Sequence, residues 1–135
     1  TYLPVIDDET FGYRQVNVAA QEKDPTSILN RTRFLINTRQ GQAALRAGDF
    51  GWVETGSAAV MAFTRSENES EVLCLFNLSD SPQRAEIALE NDSIDLLVRE
   101  RSGVLAGESV MLKPFAAHWL VLANTSEVMQ KRLLE

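Results

Sequence analysis

This sequence contains a single cysteine, Cys74, and a single histidine, His118, among its 135 residues. One cysteine cannot form an internal disulfide, and two such residues cannot supply the ligands of a zinc site. A Cys–His catalytic pair is formally available, but the two residues lie in separate strand-like runs without a catalytic motif around either. We interpret Cys74 as a small buried hydrophobic residue and His118 as a partly buried structural histidine. We expect neither a metal nor a cofactor.

Basic charge and long apolar runs are also scarce. Lys and Arg number 13 against 19 Asp and Glu, which leaves a formal net charge of −6. Nucleic-acid binding requires a basic patch, so we expect no nucleic-acid partner. The uncharged stretches are far shorter than the roughly 20 apolar residues of a membrane-spanning helix, so we expect no membrane contact. The first residues carry no basic-then-apolar signal pattern, although a leader further upstream stays open.

Regular periodicity is missing from the first 23 residues. Pro4, the acidic residues 7–9 and Gly12 interrupt any helical or strand pattern. A segment of this length without its own pattern usually needs a partner surface. We therefore expect the chain to be part of a larger protein. Hydrophobic residues nevertheless make up 44% of the sequence, enough for a core that buries roughly two-thirds of the unfolded surface.

A helix is predicted over residues 25–40. Asp24 is a suitable N-cap, because its carboxylate can accept from free amides of the first turn, and Pro25 fits the first helical position. Gly41 is the predicted stop. Apolar or small residues recur at helical spacing and form one continuous stripe, made of Ile28, Leu29, Thr32, Leu35 and Ile36. The helix is therefore expected to pack on a substantial surface.

After residue 48 the apolar period changes from helical to alternating. Seven short runs read as strands separated by polar turns, at residues 50–54, 59–65, 71–78, 84–89, 94–99, 109–112 and 118–122. This pattern is typical of an antiparallel sandwich. The predicted fold is thus mainly β, an antiparallel β-sandwich preceded by one amphipathic helix. A tail at 124–135 contains a short helical run at 127–134.

Several motifs in this order resemble the end of an α-amylase-superfamily chain, glycoside hydrolase family 13. Residues 16–21 (VNVAAQ) resemble the family's Asn-Val-x-x-Gln stretch, and residues 24–30 (DPTSILN) resemble the start of its last barrel helix. Residues 44–50 (ALRAGDF) resemble the crossing into the sandwich, and residues 112–120 (LKPFAAHWL) its last strand pair. Residues 2–21 resemble trehalose synthases more than oligosaccharide α-glucosidases.

The resemblance implies a domain organisation. Residues 1–47 would be the end of a catalytic (β/α)₈ barrel, 48–123 the C-terminal β-sandwich domain, and 124–135 a tail. The implied partners are the catalytic barrel of the same chain and the α-glucan or disaccharide substrate of the larger enzyme, which we call the parent enzyme. The implied location is the bacterial cytoplasm. Without the barrel, the stripe of the helix would be exposed, which allows the chain to self-associate.

No catalytic residue is predicted in this segment. Retaining glycoside transfer needs two carboxylates about 5 Å apart, and the family carries them on barrel strands upstream. The acidic residues 7–9 are interpreted as a solvated loop, because no apolar residues surround them to shift a pKa. Glu67, Glu69 and Glu71 flank a turn and are interpreted as a solvated hairpin tip, and residues 90–92 in the same way. None has the spacing of a calcium loop.

Trp52 and Trp119 are the candidate ligand-binding residues. An exposed indole can stack on the face of a pyranose ring, which would make the sandwich a carbohydrate-binding module. Both tryptophans, however, lie in apolar strand-like runs, where such residues are more often part of a core or a domain interface. The sequence therefore favours a structural, non-catalytic domain, with the carbohydrate-binding module as the alternative.

Overall fold

The computed structural model describes residues 3–89, 93–98, 100–101 and 108–122. The chain divides into two compact units, Thr1–Arg39 and Gln40–Glu135. The tail predicted at 124–135 and the acidic turn predicted at 90–92 lie outside the described residues. The domain boundary placed after residue 47 concerns the parent enzyme and stays a prediction.

The first unit contains α1 (Val18–Lys23) and most of α2 (Ile28–Gln40). Helix α1 was not predicted, since its six residues are too few to show a helical period. Its N-cap is Asn17, whose Oδ1 accepts from the amide of Ala20 at 2.8 Å. No described helix is long and apolar enough to cross a bilayer.

The predicted start of the second helix was wrong by three residues. Asp24 does not cap α2, because its Oδ1 accepts from the amide of Thr26 at 2.8 Å and from its hydroxyl at 2.7 Å, which forms a separate turn. The hydroxyl of Ser27 instead accepts from the amide of Asn30 at 3.2 Å, so the helix begins after Ser27. Its end at Gln40, before Gly41, agrees with the prediction.

The Asn-Val-x-x-Gln stretch joins the two helices. Oε1 of Gln21 accepts from the first-turn amide of Leu29 at 3.1 Å, and the Gln21 carbonyl accepts from the Ser27 hydroxyl at 2.7 Å. Nδ2 of Asn30 donates to the carbonyls of Gln21 and Asp24 at 2.9 and 2.8 Å. These bonds satisfy polar groups that two helix termini would otherwise leave open.

Eight strands occur in the described part of the chain: β1 Asp49–Trp52, β2 Val60–Glu67, β3 Ser70–Asn77, β4 Gln83–Ala85, β5 Ile94–Asp95, β6 Glu100–Arg101, β7 Val110–Leu112 and β8 Ala117–Leu122. Six form one sheet in the order β1-β2-β3-β8-β5-β6, and β4 pairs with β7 in a second sheet. Every pairing is antiparallel. The mainly β, antiparallel fold predicted from the sequence is confirmed.

The main core lies between the two sheets. Leu75 and Leu120 of the large sheet and Val110 and Leu112 of the small sheet belong to one cluster and are at most 1% exposed. Burying a side chain of this size contributes about 1.5–3 kcal/mol. The alternation predicted for 84–89 persists in burial, since Ala85, 87 and 89 are buried, although the β4 ladder ends at Ala85.

The outer face of the large sheet carries a second, smaller cluster. Helix α3 (Ala43–Ala47), which was not predicted as a helix, places Ala44 and Leu45 with Val72 and Cys74. Cys74 is 1% exposed, which confirms the prediction of a buried hydrophobic cysteine. Burial raises the pKa of its thiol to about 11.

Candidate functional site

Trp52 and Trp119 lie in one row across the large sheet. Trp52 pairs with Phe63, Phe63 with Cys74, and Cys74 with Trp119. Residues that oppose each other in this way point to the same face, here the outer face. Three strand spacings of ~4.8 Å separate the two tryptophans by about 14 Å, so the structure brings them to one face without bringing them together.

Their exposure differs. Trp52 is 71% exposed on the edge strand β1. Trp119 is half-buried and packs against the cluster that contains Val72 and Cys74. This packing favours Trp52 over Trp119 as a stacking residue, and sugar stacking by either stays a prediction.

Trp52 belongs to an aromatic surface that it forms with Phe50, Phe63 and Phe76. The Phe50 and Trp52 rings meet edge to face, with centroids 4.9 Å apart at 88°. The centroid of the Phe63 ring lies 5.1 Å from that of Phe50 and 6.0 Å from that of Phe76. Each such pair adds about 0.5–1.5 kcal/mol beyond burial. The indole of Trp52 is therefore held in place on one edge while it remains open to solvent.

A cleft of about 380 Å³ opens beside Trp52, between the end of β1 and the start of β2. Its lining includes Trp52, Glu54, Ser57 and Met61. The loop that forms it is pinned from within, because the buried Thr55 places Oγ1 3.0 Å from the carbonyl of Ser57 and 3.1 Å from that of Val60. The cleft thus combines a flat aromatic ring with polar groups on an ordered loop.

His118 has an acidic partner that sequence reasoning missed. Nδ1 of His118 lies 2.7 Å from Oδ2 of Asp95, which is 2% exposed. Oδ1 of Asp95 also accepts from the amides of Leu97 at 3.0 Å and Trp119 at 3.3 Å. Burial by itself would raise the pKa of Asp95, but the bonds from His118, Leu97 and Trp119 hold that pKa below its ordinary value. An aspartate inside an apolar strand-like run was the available signal, because a buried charge needs a partner.

The geometry of the His118–Asp95 pair indicates a structural role. His118 is half-buried, as predicted, and its bond to Asp95 ties β8 to the short strand β5. Cys74 pairs with Trp119 whereas His118 pairs with Leu75, so the Cys74 and His118 side chains point to opposite faces of the sheet. The formal Cys–His pair is therefore not assembled.

In the acidic segment at residues 7–9, Asp8 serves its own turn. Oδ1 of Asp8 accepts from the amides of Thr10 at 2.8 Å and Phe11 at 2.6 Å, and these bonds lower its pKa. Glu67 pairs with Ser70, which places Asn68 and Glu69 in a two-residue hairpin turn. Oε2 of Glu67 is buried, so the prediction of a solvated hairpin tip is wrong for this residue. Within the described ranges, no three His, Cys, Asp or Glu side chains are grouped to hold a metal ion.

The chain has sequence relatives among enzymes of sugar metabolism, although no protein-family model matches it. It is 36% identical over 92 residues to the trehalose synthase of Pimelobacter sp. strain R48, a match that covers 65% of this chain and 16% of that enzyme. It is 37% identical over 73 residues to a probable α-glucosidase of Rhizobium meliloti, covering 54% of this chain and 13% of the relative.

The fold also matches a solved structure, the trehalulose synthase MutB from Pseudomonas mesoacidophila MX-45. The TM-score is 0.64 at 23% identity, over 82% of this chain and 20% of MutB. This match identifies the fold of the chain with that of the C-terminal domain of such enzymes. The chain spans about one-sixth of the trehalose synthase and one-fifth of MutB.

Proposed function

Because this chain is a homologue of trehalose synthases and of an α-glucosidase, and matches their C-terminal part, we propose that it is a structural, non-catalytic domain of a retaining α-glucan-active enzyme. The observation that carries the proposal is the 16% share of the trehalose synthase that the chain spans. A (β/α)₈ barrel needs about 250 residues, more than this chain contains. The chemistry would therefore belong to the rest of the parent enzyme.

The roles of the acidic side chains support a non-catalytic domain. Asp95 is committed to His118 and to two backbone amides, and Asp8 and Asp24 accept from amides of their own turns. A carboxylate with these partners is stabilised as an anion. It is therefore poorly suited to act as the general acid that glycoside cleavage requires.

Helix α2 would contact the barrel of the parent enzyme. Ile28 is 81% exposed and Ile36 is 50% exposed, and no residue of α2 is buried. A continuous apolar stripe on a helix is stable mainly when another surface covers it. The proposed role of the segment is to cover apolar barrel surface and to steady the active-site scaffold from a distance.

Two reactions fit the relatives. A trehalose-synthase-like parent would interconvert maltose and trehalose by intramolecular glucosyl transfer, whereas in an α-glucosidase water would take the second step. The higher coverage by the trehalose synthase, 65% of this chain against 54%, supports the first. A bacterial cytoplasmic location is part of the same proposal, and the sources of both relatives support its bacterial part.

The test compares the intact parent enzyme, a parent enzyme truncated before the residue equivalent to Gln40, and the isolated 135-residue chain. We expect the isolated chain to leave maltose unchanged and the truncated enzyme to lose activity faster on heating than the intact enzyme. Conversion of maltose by the isolated chain would refute the non-catalytic role. An equal inactivation rate for intact and truncated enzymes would refute the stabilising role.

The alternative, a carbohydrate-binding module, predicts an exposed, coplanar Trp52 or Trp119. Trp52 is exposed but Trp119 is half-buried, so a platform of two open indoles is not what these residues form. The observations favour the structural domain, with sugar contact limited to the surroundings of Trp52.

A further inference from the structure

We propose that the cleft beside Trp52 is a binding subsite for one glucosyl unit of a neutral, α-linked glucoside. The choice of an α-glucoside rests on the proposed function. The existence of a subsite rests on the geometry of Trp52, of Glu54 and of the loop at 53–59.

Trp52 supplies the flat apolar surface that a pyranose requires. One face of a glucose ring presents C–H groups, which pack well on an indole because both surfaces are flat and apolar. The ring of Trp52 is 71% exposed, lies on an edge strand and is held by Phe50 at 4.9 Å and Phe63 at 6.3 Å. A sugar would therefore meet an indole that neighbouring rings already orient.

The polar groups of the cleft match sugar hydroxyls. Glu54 and Trp52 both line it, and among the described residues neither the Glu54 carboxylate nor the Trp52 indole N–H has a hydrogen-bond partner. A carboxylate accepts from two hydroxyls and an indole N–H donates to one. The volume of about 380 Å³ lies within the range of small-ligand sites.

The loop is ordered before any ligand binds. The amide of Glu86 donates to the Thr55 carbonyl at 2.8 Å, and the Ser57 hydroxyl lies 3.1 Å from Oε1 of Gln83. Gly56 adopts a φ of +72°, a conformation that favours glycine. An ordered loop loses little entropy on binding, so a few contacts suffice for measurable affinity.

Charge selects a neutral ligand. Glu54 lies in the cleft, Glu86 lies next to Gly56 on its rim, and the chain as a whole carries a formal charge of −6. A phosphorylated or otherwise anionic ligand would be repelled. A neutral oligosaccharide has hydroxyl donors for the carboxylates and no charge to oppose them.

The experiment titrates the 135-residue chain with maltotriose and follows tryptophan emission. The chain with Trp119→Phe reports Trp52 alone, and isothermal calorimetry measures binding to Trp52→Ala, which has lost the stacking ring. We expect a saturable emission change with a Kd of about 1 mM. Affinity should weaken at least ~10-fold in Trp52→Ala and by a smaller factor in Glu54→Gln. Far-ultraviolet circular dichroism checks that each variant is folded.

Cellobiose, which has a β-linkage, is the ligand control. A weaker response to cellobiose than to maltotriose supports the choice of an α-linked ligand, and an equal response overturns that choice. Equal affinity of wild type and Trp52→Ala for maltotriose, or no saturable signal up to about ten times the expected Kd, overturns the subsite. Such a result leaves the structural role intact, because that role is tested by the heat inactivation of the truncated parent enzyme.

Discussion

Nδ1 of His118 lies 2.7 Å from Oδ2 of Asp95, and this bond joins β8 to the two-residue strand β5. Because the pKa of Asp95 is held low, the carboxylate is ionised at neutral pH and Nδ1 carries the donated proton. The ladder between β5 and β8 has only two paired positions, and so short a ladder could not hold β5 in the sheet by itself. The buried carboxylate therefore acts as the anchor of this part of the sheet.

Removal of that anchor should destabilise the fold. Asp95→Ala would leave the Leu97 and Trp119 amides and the His118 donor without their acceptor, which costs about 2–4 kcal/mol. Asp95→Asn should cost less, because its amide oxygen still accepts from the backbone. Urea denaturation monitored by far-ultraviolet circular dichroism measures both. The matched control is Asp80→Ala at an exposed position, and equal stability of the two alanine variants would contradict the anchor.

Stability should fall in acid. A carboxyl group whose pKa is lowered by folding stabilises the native state above its unfolded pKa, near pH 4, and loses that contribution as the pH falls through the lower folded pKa. Asp95, Asp8 and Asp24 all shift in this direction. Urea midpoints should therefore be constant near neutrality and decline below about pH 4. Asp95→Asn should show a shallower decline, and parallel curves for variant and wild type would remove Asp95 as a cause.

Cys74 should be unreactive in the folded chain. With a pKa of about 11 and 1% exposure, its thiolate fraction at pH 8 is on the order of one in a thousand. We expect Ellman's reagent to react slowly with the native chain and at once in concentrated urea. A fast reaction of the native chain would show that the α3 contacts over Cys74 open readily.

The exposed stripe of α2 should lead the isolated chain to self-associate. Ile28 and Ile36 are the exposed large hydrophobic members of the stripe, and pairing two copies would remove both from water. Sedimentation equilibrium should give a mass above that of one chain that rises with concentration. Ile28→Lys should shift the equilibrium towards the monomer, whereas Asn37→Lys, on the opposite side of the helix, should not. A strict monomer at all concentrations would contradict this prediction.

Local features of the sequence determined much of the fold. The body and end of α2, the positions of most strands and the burial of Cys74 follow from period and composition, because helices and strands repeat their apolar residues at characteristic spacings. The resemblance of the ordered motifs to glycoside hydrolase family 13 is confirmed by the relatives.

Features that depend on one or two polar contacts could not be predicted from the sequence. Helix α1 exists because Asn17 caps it, and α2 begins late because Asp24 bonds to Thr26. In the sequence, an aspartate before a proline is compatible both with an N-cap of α2 and with a separate turn ahead of the helix. The choice between them depends on which amide lies nearest, and that is a property of the folded backbone.

Tertiary structure alone decided the roles of Trp52, Trp119 and Asp95. In the sequence the two tryptophans look alike, but strand order places Trp52 on the edge strand and Trp119 in the interior of the sheet. Asp95 and His118 are 23 residues apart in sequence, and they meet because β5 pairs with β8. Periodicity states which face a residue occupies, whereas exposure and partners depend on which strands become neighbours.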